Sequence, residues 1–145
     1  MKGNILIVDD NPEMVAMLQL VLTEAGYTTR SAVTGNEALR KAWRTPPDLI
    51  LLDLILPDLN GFYVCVALRR VAATASIPII LMTAMPGEIP RFAGIEAGAD
   101  AYLNKPFPIQ ELVALVHDLL HGSRRRPTAF ESVPAPAASV SLPVA

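Results

Sequence analysis

Three short, uninterrupted apolar runs constrain the fold of this chain more than any other feature of its sequence. They span residues 5–8, 49–52 and 77–82. Continuous runs of this length are typical of strands buried on both faces, as in a parallel sheet covered by helices. A mixed segment at 27–32 and a short one at 101–103 suit the two edges of such a sheet. The sequence therefore predicts five strands, three of them internal.

Helical patterns with recognisable ends separate these strands. Asn11 and Pro12 are suited to the N-cap and first position of a helix that Gly26 ends. Five strand-then-helix units with right-handed crossovers predict an α/β fold, a flavodoxin-like (βα)5 sandwich whose parallel sheet has the order 2-1-3-4-5. The helices are expected at 12–25, 34–43, 61–71, 86–98 and 108–121, the fourth being poor and beginning near Pro90.

Composition sets the broad class of the protein. A net charge of −2 over 145 residues gives no indication of nucleic-acid binding within this chain. The single cysteine, Cys65, cannot form an internal disulfide, and no apolar segment is long enough for a signal peptide or a membrane span. We therefore expect a cytoplasmic protein with one domain at 1–121 and a Pro/Ala/Ser-rich tail or linker at 122–145.

Three carboxylates directly follow or end predicted internal strands. Asp9 and Asp10 come after the first apolar run, and Asp53 closes the run at 49–52. The carboxyl ends of neighbouring parallel strands meet at one edge of a sheet, so these side chains should converge there. Crowded carboxylates repel one another, and a hard divalent cation relieves that repulsion. The sequence thus predicts a Mg²⁺ site.

Two further residues change the expectation from metal binding to phosphoryl transfer. Thr83 follows the fourth strand and Lys105 follows the fifth. A hydroxyl and an ammonium at the same edge could both contact the oxygens of a phosphoryl group, whose transfer depends on positioning and charge neutralisation. In this interpretation Asp53 is the nucleophile and forms an acyl phosphate.

With these residues in place, the chain resembles the response-regulator receiver domain of two-component signalling over roughly residues 3–121. The resemblance is specific, because its motifs occur in order and at the family's spacing. The matching residues are Val8-Asp9-Asp10, Asp53 with Leu56-Pro57-Asp58 and Gly61, Thr83-Ala84, Glu96-Ala97-Gly98-Ala99-Asp100 and Lys105-Pro106-Phe107.

The resemblance implies a role for each matching position. Mg²⁺ would be held by Asp10, by Asp53 and by the backbone carbonyl of Ile55, with Asp9 acting partly through water. Lys105 would contact the phosphoryl group, and its bond to the following proline would be cis. The phosphoryl group would come from a phosphohistidine on a histidine kinase or a histidine phosphotransfer protein. The conformational switch would be formed by Thr83 and Tyr102, the hydroxyl moving to the phosphoryl group while the ring turns inward.

The sequence departs from the family pattern at two positions beside the expected site. Ile55 lies two residues beyond Asp53, and Met85 lies two residues beyond Thr83. In this family both side chains flank the path of the water that attacks the acyl phosphate, and apolar side chains cannot orient that water. We expect dephosphorylation in hours rather than seconds, unless both residues simply pack against the surface. The prolines within 85–90 either loosen the adjacent loop or make it rigid.

Other functions fit the residues less well. An aspartyl-nucleophile phosphatase usually needs a second acid two residues after the nucleophile, where this chain has Ile55 or Asn11. A flavin or dinucleotide carrier would need a Gly-rich loop after the first strand. We therefore expect a signalling switch rather than a metabolic enzyme, acting on a downstream protein effector. Residues 110–121 contain no lysine or arginine, which favours a monomer or weak dimer.

Overall fold

A single five-stranded sheet organises the computed structural model, which describes residues 3–85 and 87–122. All pairings are parallel and the strand order is β2-β1-β3-β4-β5, which confirms the predicted topology. The strands are β1 Asn4–Val8, β2 Thr28–Ala32, β3 Leu49–Asp53, β4 Ile79–Thr83 and β5 Ala101–Asn104. The predicted tail at 122–145 lies outside the described residues except for Gly122.

Five helices cover the two faces of this sheet. Side chains of α1 and α5 pack on one face, and side chains of α2 and α3 pack on the other. None of the helices in the described ranges is both long and apolar enough to cross a bilayer. The helices are α1 Pro12–Glu24, α2 Gly35–Arg44, α3 Gly61–Arg69, α4 Glu88–Glu96 and α5 Ile109–Leu120.

The internal strands are buried on both faces, which explains their uninterrupted apolar sequence. Leu52 and Leu81 face α2 and α3, whereas Leu51 and Met82 face α1 and α5, and all four are inaccessible to solvent. Complete burial of such a side chain contributes about 1.5–3 kcal/mol. A polar substitution in β3 or β4 would therefore disturb one of the two cores, whichever face it lay on.

Local signals placed most helix ends correctly. The Asn11 side chain accepts hydrogen bonds from the backbone N–H groups of Glu13 and Met14, at 2.9 and 3.3 Å, and Pro12 is the first residue of α1. The fourth helix begins at Glu88, two residues before Pro90. Pro90 is accommodated because the first N–H groups of a helix have no intrahelical partner.

A buried ion pair that the sequence did not indicate fixes the start of β4. One guanidinium nitrogen of Arg69 lies 2.9 Å from Asp100 Oδ2, and others donate to the carbonyls of Gly98 and Ile77. Asp100 Oδ2 also accepts a hydrogen bond of 2.8 Å from the Ile79 N–H. Because an unpaired buried carboxylate is costly, loss of either partner would destabilise the turn between α3 and β4. The ion pair leaves β4 in a fixed register.

Gly61 supports the loop directly beneath Asp53. Its N–H donates to the Leu54 carbonyl at 2.6 Å, and a Cβ at this position would lie 2.8 Å from the Asp53 carbonyl oxygen. A contact that short with backbone cannot be relieved by a change of rotamer. Only glycine therefore fits here without displacing the end of β3.

We expect Gly61→Ala to destabilise the protein by about 1–3 kcal/mol, because the new methyl group forces backbone to move. Gly94→Ala is the matched control. Its Cβ would lie 2.7 Å from Leu81 Cδ1, the end of a side chain, and alanine is favoured over glycine within a helix by about 1 kcal/mol. Urea unfolding of both variants measures the difference. Equal losses of stability would contradict the assignment of backbone strain to position 61.

Candidate functional site

Four strand ends bring the predicted functional residues to one edge of the sheet. Asp9 follows β1, Asp53 and Thr83 are the last residues of β3 and β4, and Lys105 follows β5. Asp9, Asp53 and Thr83 are buried, whereas Asp10 is exposed. The sheet order places β1, β3, β4 and β5 side by side, so the site depends on the topology rather than on any single element.

The carboxylates form a compact cluster. One oxygen from each of Asp9, Asp10 and Asp53 lies within 4.8 Å of the other two. Oxygen ligands at this spacing, with an exposed member next to two buried ones, fit a hard divalent cation that keeps some of its waters. The predicted acidic residues are therefore brought together, and their donor atoms suit Mg²⁺.

Lys105 is the cation that the protein itself supplies to this cluster. Its Nζ lies 2.8 Å from Asp9 Oδ2 and 3.5 Å from Asp53 Oδ2. The Lys105–Pro106 peptide bond is cis, as expected, and the Lys105 N–H donates to the Thr83 carbonyl at 2.7 Å. The other oxygen of Asp9 accepts a hydrogen bond of 2.9 Å from the Asn11 N–H. Asp9 is thus held on both sides.

Burial raises the pKa of Asp53 above its ordinary value. The ammonium of Lys105 opposes this effect, and the negative charge of Asp9 adds to it. The side chain of Asp53 is 11% exposed, so water cannot fully compensate for the loss of hydration. One lysine does not neutralise three carboxylates. The site therefore favours an additional cation.

The predicted switch residues lie on neighbouring strands β4 and β5. The Thr83 hydroxyl oxygen accepts a hydrogen bond of 2.9 Å from the Met85 N–H. The hydroxyl of Tyr102 is buried and has no hydrogen-bond partner within residues 3–85 and 87–122, and burial raises its pKa to about 12. The phenol oxygen thus lies inward in this structure. Movement of the pair on phosphorylation remains a prediction.

The two apolar residues that depart from the family pattern are at the surface. Ile55 is 58% exposed and Met85 is 39% exposed. An antiparallel bridge joins Ile55 to Asn60. The exposed side chains are consistent with a role near the entrance to the site. Participation of the Ile55 carbonyl in metal binding remains a prediction.

Sequence reasoning missed the function of Asp58 in positioning α2. Its two carboxylate oxygens accept hydrogen bonds from the backbone N–H groups of Gly35 and Asn36, at 2.7 and 2.9 Å. These hydrogen bonds lower the pKa of Asp58, and the bond from the Asn36 N–H has the larger effect. They tie the loop after β3 to the start of α2. No local sequence pattern indicates these hydrogen bonds, because Gly35 and Asn36 lie 23 and 22 residues before Asp58.

Comparison with known proteins identifies the family. Residues 5–117 match the response regulator receiver domain. This chain belongs to that family. It is 42% identical over 125 residues to the DNA-binding dual master transcriptional regulator RpaA of Synechocystis, which covers 86% of this chain and 52% of the relative. It is also 42% identical to the alkaline phosphatase synthesis transcriptional regulatory protein PhoP of Bacillus subtilis, over 85% of this chain and 50% of that protein.

Solved structures agree with this assignment. The signal receiver domain of a signal transduction histidine kinase from Syntrophus aciditrophicus has a TM-score of 0.78 and 34% identity, over 92% of this chain and 98% of that one. Vibrio cholerae chemotaxis protein CheY4 has a TM-score of 0.76 and 30% identity, over 81% and 98%. The receiver chain spans about half the length of the curated relatives. The matches support phosphorelay signalling, and not a phosphatase or a flavin carrier.

The raised pKa of Asp53 gives a pH dependence of stability. The folded state binds the proton of Asp53 more tightly than the unfolded state does. The resulting stabilisation is fully present below the unfolded pKa and is lost as pH rises through the folded pKa. At neutral pH without divalent cations, Asp53→Asn should therefore be more stable than the wild type. The advantage should shrink as the pH falls into the acidic range where this carboxyl titrates.

The difference would be visible in the urea midpoints of both proteins, measured in chelator across about pH 4–7. This range begins near the ordinary pKa of aspartate. Glu24→Gln, which removes an exposed carboxylate from the end of α1, is the control and should follow the wild type. Millimolar Mg²⁺ should raise the midpoint of the wild type more than that of Asp53→Asn. A variant less stable than the wild type at neutral pH would contradict the assignment of electrostatic strain to Asp53.

Proposed function

We propose that Asp53 accepts a phosphoryl group from a phosphohistidine on a histidine kinase or a histidine phosphotransfer protein. The observation that carries this proposal is the position of Lys105 Nζ, 2.8 Å from Asp9 and 3.5 Å from Asp53. A fixed ammonium between Asp9 and the carboxylate of Asp53 at the end of β3 suits the charge that develops during phosphoryl transfer. A lysine that served only the fold would not need to approach both.

The transfer requires few chemical steps from the protein. An oxygen of the Asp53 carboxylate attacks phosphorus, the bond from phosphorus to the donor imidazole nitrogen breaks, and that imidazole takes up a proton. Asp53 becomes an acyl phosphate, and Lys105 pairs with one of its phosphoryl oxygens. Asp10, Asp53 and the Ile55 carbonyl would hold Mg²⁺, with Asp9 acting partly through water. The bound ion neutralises charge on the phosphoryl oxygens.

Thr83 would transmit the presence of the phosphoryl group. Its hydroxyl oxygen accepts a bond from the Met85 N–H, and a hydroxyl that accepts one bond can still donate its own proton. Donation to the phosphoryl group would draw Thr83 towards Asp53 and change the packing around Tyr102 on β5. The Tyr102 hydroxyl is already buried and lacks a partner among the described residues, which costs about 1–3 kcal/mol. The expected inward turn would therefore be an adjustment of a ring that lies inward before phosphorylation.

The proposal is tested by incubating the full chain with acetyl phosphate and Mg²⁺ and measuring intact mass. We expect a single phosphoryl adduct on the wild type and on Glu24→Gln, which removes an exposed carboxylate of α1. Asp53→Asn should give none, and Lys105→Ala should be phosphorylated at least about tenfold more slowly, equivalent to about 1.4 kcal/mol of transition-state stabilisation. An adduct that persists in Asp53→Asn would exclude Asp53 as the acceptor. Rapid multiple-turnover release of inorganic phosphate without an accumulated adduct would indicate a phosphatase.

We further propose that the acyl phosphate lasts for hours, because Ile55 and Met85 present apolar surface beside the site. Neither side chain can position the attacking water or accept its proton. Replacing both, as Ile55→Asn with Met85→Glu, should accelerate decay about tenfold or more, since a positioned polar group contributes about 10²–10⁴-fold when its geometry is ideal. Intact mass after removal of acetyl phosphate measures the decay.

Leu20→Asn is the control for this change, because Leu20 is also an exposed apolar side chain, 61% accessible, but lies on α1. Its decay should match that of the wild type. Wild-type decay within seconds in Mg²⁺ would contradict the proposed lifetime. So would equal decay rates in the double variant and the Leu20 control.

A further inference from the structure

A basic groove lies on the open edge of the sheet, away from the acidic site. It has a volume of about 470 Å³ and is bordered by α1, by β2 and by α2 with its C-cap. Arg30 comes from the middle of β2, and Arg40, Lys41 and Arg44 come from α2. Arg30 also donates a hydrogen bond to Asn4 at the start of β1. The groove therefore extends towards the edge of the sheet at which the strands begin. Asp53 lies at the opposite edge, where the strands end.

The charge in this groove is unbalanced. Four of its lining side chains are cationic and none is acidic, although the whole chain has a net charge of −2. Glu37 approaches from α2 and lies 2.9 Å from Lys41, which leaves an excess of three positive charges. A local excess of one sign attracts oppositely charged ligands.

Two of the cations are already held in place. Arg30 Nε donates to Asn4 Oδ1 at 3.0 Å, and its Nη2 donates to the Thr45 carbonyl at 2.6 Å. Lys41 Nζ donates to the Ser31 carbonyl at 2.6 Å. These bonds use two of the five N–H groups of Arg30 and fix the plane of its guanidinium. A ligand would therefore meet a preorganised cation, which lowers the entropic cost of binding.

The other two cations can adjust to a ligand. Arg40 and Arg44 are exposed and lie four residues apart on α2, so they project from the same side of the helix. Favourable interaction with the helix dipole accounts for basic residues in the last turn of α2, namely Lys41 and Arg44. It does not account for Arg30, which is on a strand. The bonds of Arg30 to Asn4 and to the Thr45 carbonyl use only two of its N–H groups, which leaves the others for a ligand.

The size and chemistry of the groove indicate a small phosphorylated ligand. Arginine guanidinium groups bind phosphate oxygens in a bidentate manner, and a volume of about 470 Å³ is in the range of small-molecule sites. Addition of a peptide strand to β2 is disfavoured. The carbonyl of Ser31, which faces away from β1 by the alternation of the sheet, is already bonded to Lys41. We propose that the groove binds a chain of two or three linked phosphoryl groups.

The experiment measures binding of inorganic triphosphate and of a nucleoside triphosphate to the full chain by calorimetry, in chelator and with Asp53→Asn as the common background. These conditions keep the acidic site from contributing. We expect both ligands to bind, and Arg40→Ala with Arg44→Ala to weaken binding at least about tenfold. Equal affinities would show that only the phosphate chain is recognised, whereas tighter nucleotide binding would show contacts to the nucleoside as well.

Arg70→Ala is the control, because Arg70 is an exposed arginine at the end of α3, outside the groove. Its affinity should match that of the background protein, and urea midpoints should show that all variants fold. Absence of binding by the background protein would overturn the proposal, as would equal losses in the Arg70 and the Arg40/Arg44 variants. It would also be overturned if an acidic peptide or a DNA duplex bound this face more tightly than triphosphate does.

Discussion

The crowding of three carboxylates around one ammonium is the constraint on which the rest of this structure depends. Asp9 and Asp53 are buried, and Lys105 is shared between them at 2.8 and 3.5 Å. Isolated in an apolar core, such charges would be prohibitively costly. They are tolerated at the carboxyl edge of the sheet, where Asp10 remains exposed and a cation can enter. The two apolar layers below hold four strand ends rigidly enough to keep this repulsive arrangement together.

Sequence predicted the strands, their order and the acidic residues because each depends on local signals. An apolar run that ends in aspartate indicates both a buried strand and the position of a functional side chain. Helix boundaries were harder to predict. A proline can occupy any position in the first turn of a helix, and Pro90 is the third residue of α4 rather than the first. Asp58 and Arg69 could not be predicted. Their partners are distant along the chain, and only the folded topology brings them together.

Those unpredicted contacts divide the molecule into firmly and weakly held parts. Asp58 fastens the start of α2, and the pair of Arg69 with Asp100 fastens the turn before β4. Among the described residues, no side chain caps the start of the fourth helix, where the N-cap is Gly87. Local stability is lowest where such bonds are few. A change at Thr83 would therefore be transmitted more readily to α4 than to α2 or α3.

A net charge of −2 conceals two opposite electrostatic regions in the described part of the chain. At the carboxyl edge, three carboxylates face one lysine, so an anionic phosphoryl group is repelled until a cation is present. In the basic groove, four cations line a cavity without a lining carboxylate, so the proposed anion would need no metal to bind there. Phosphate chemistry at the two regions should respond oppositely to chelation. Under these two proposals, divalent ions would promote phosphorylation at Asp53 and would compete with arginine for the phosphate chain in the groove.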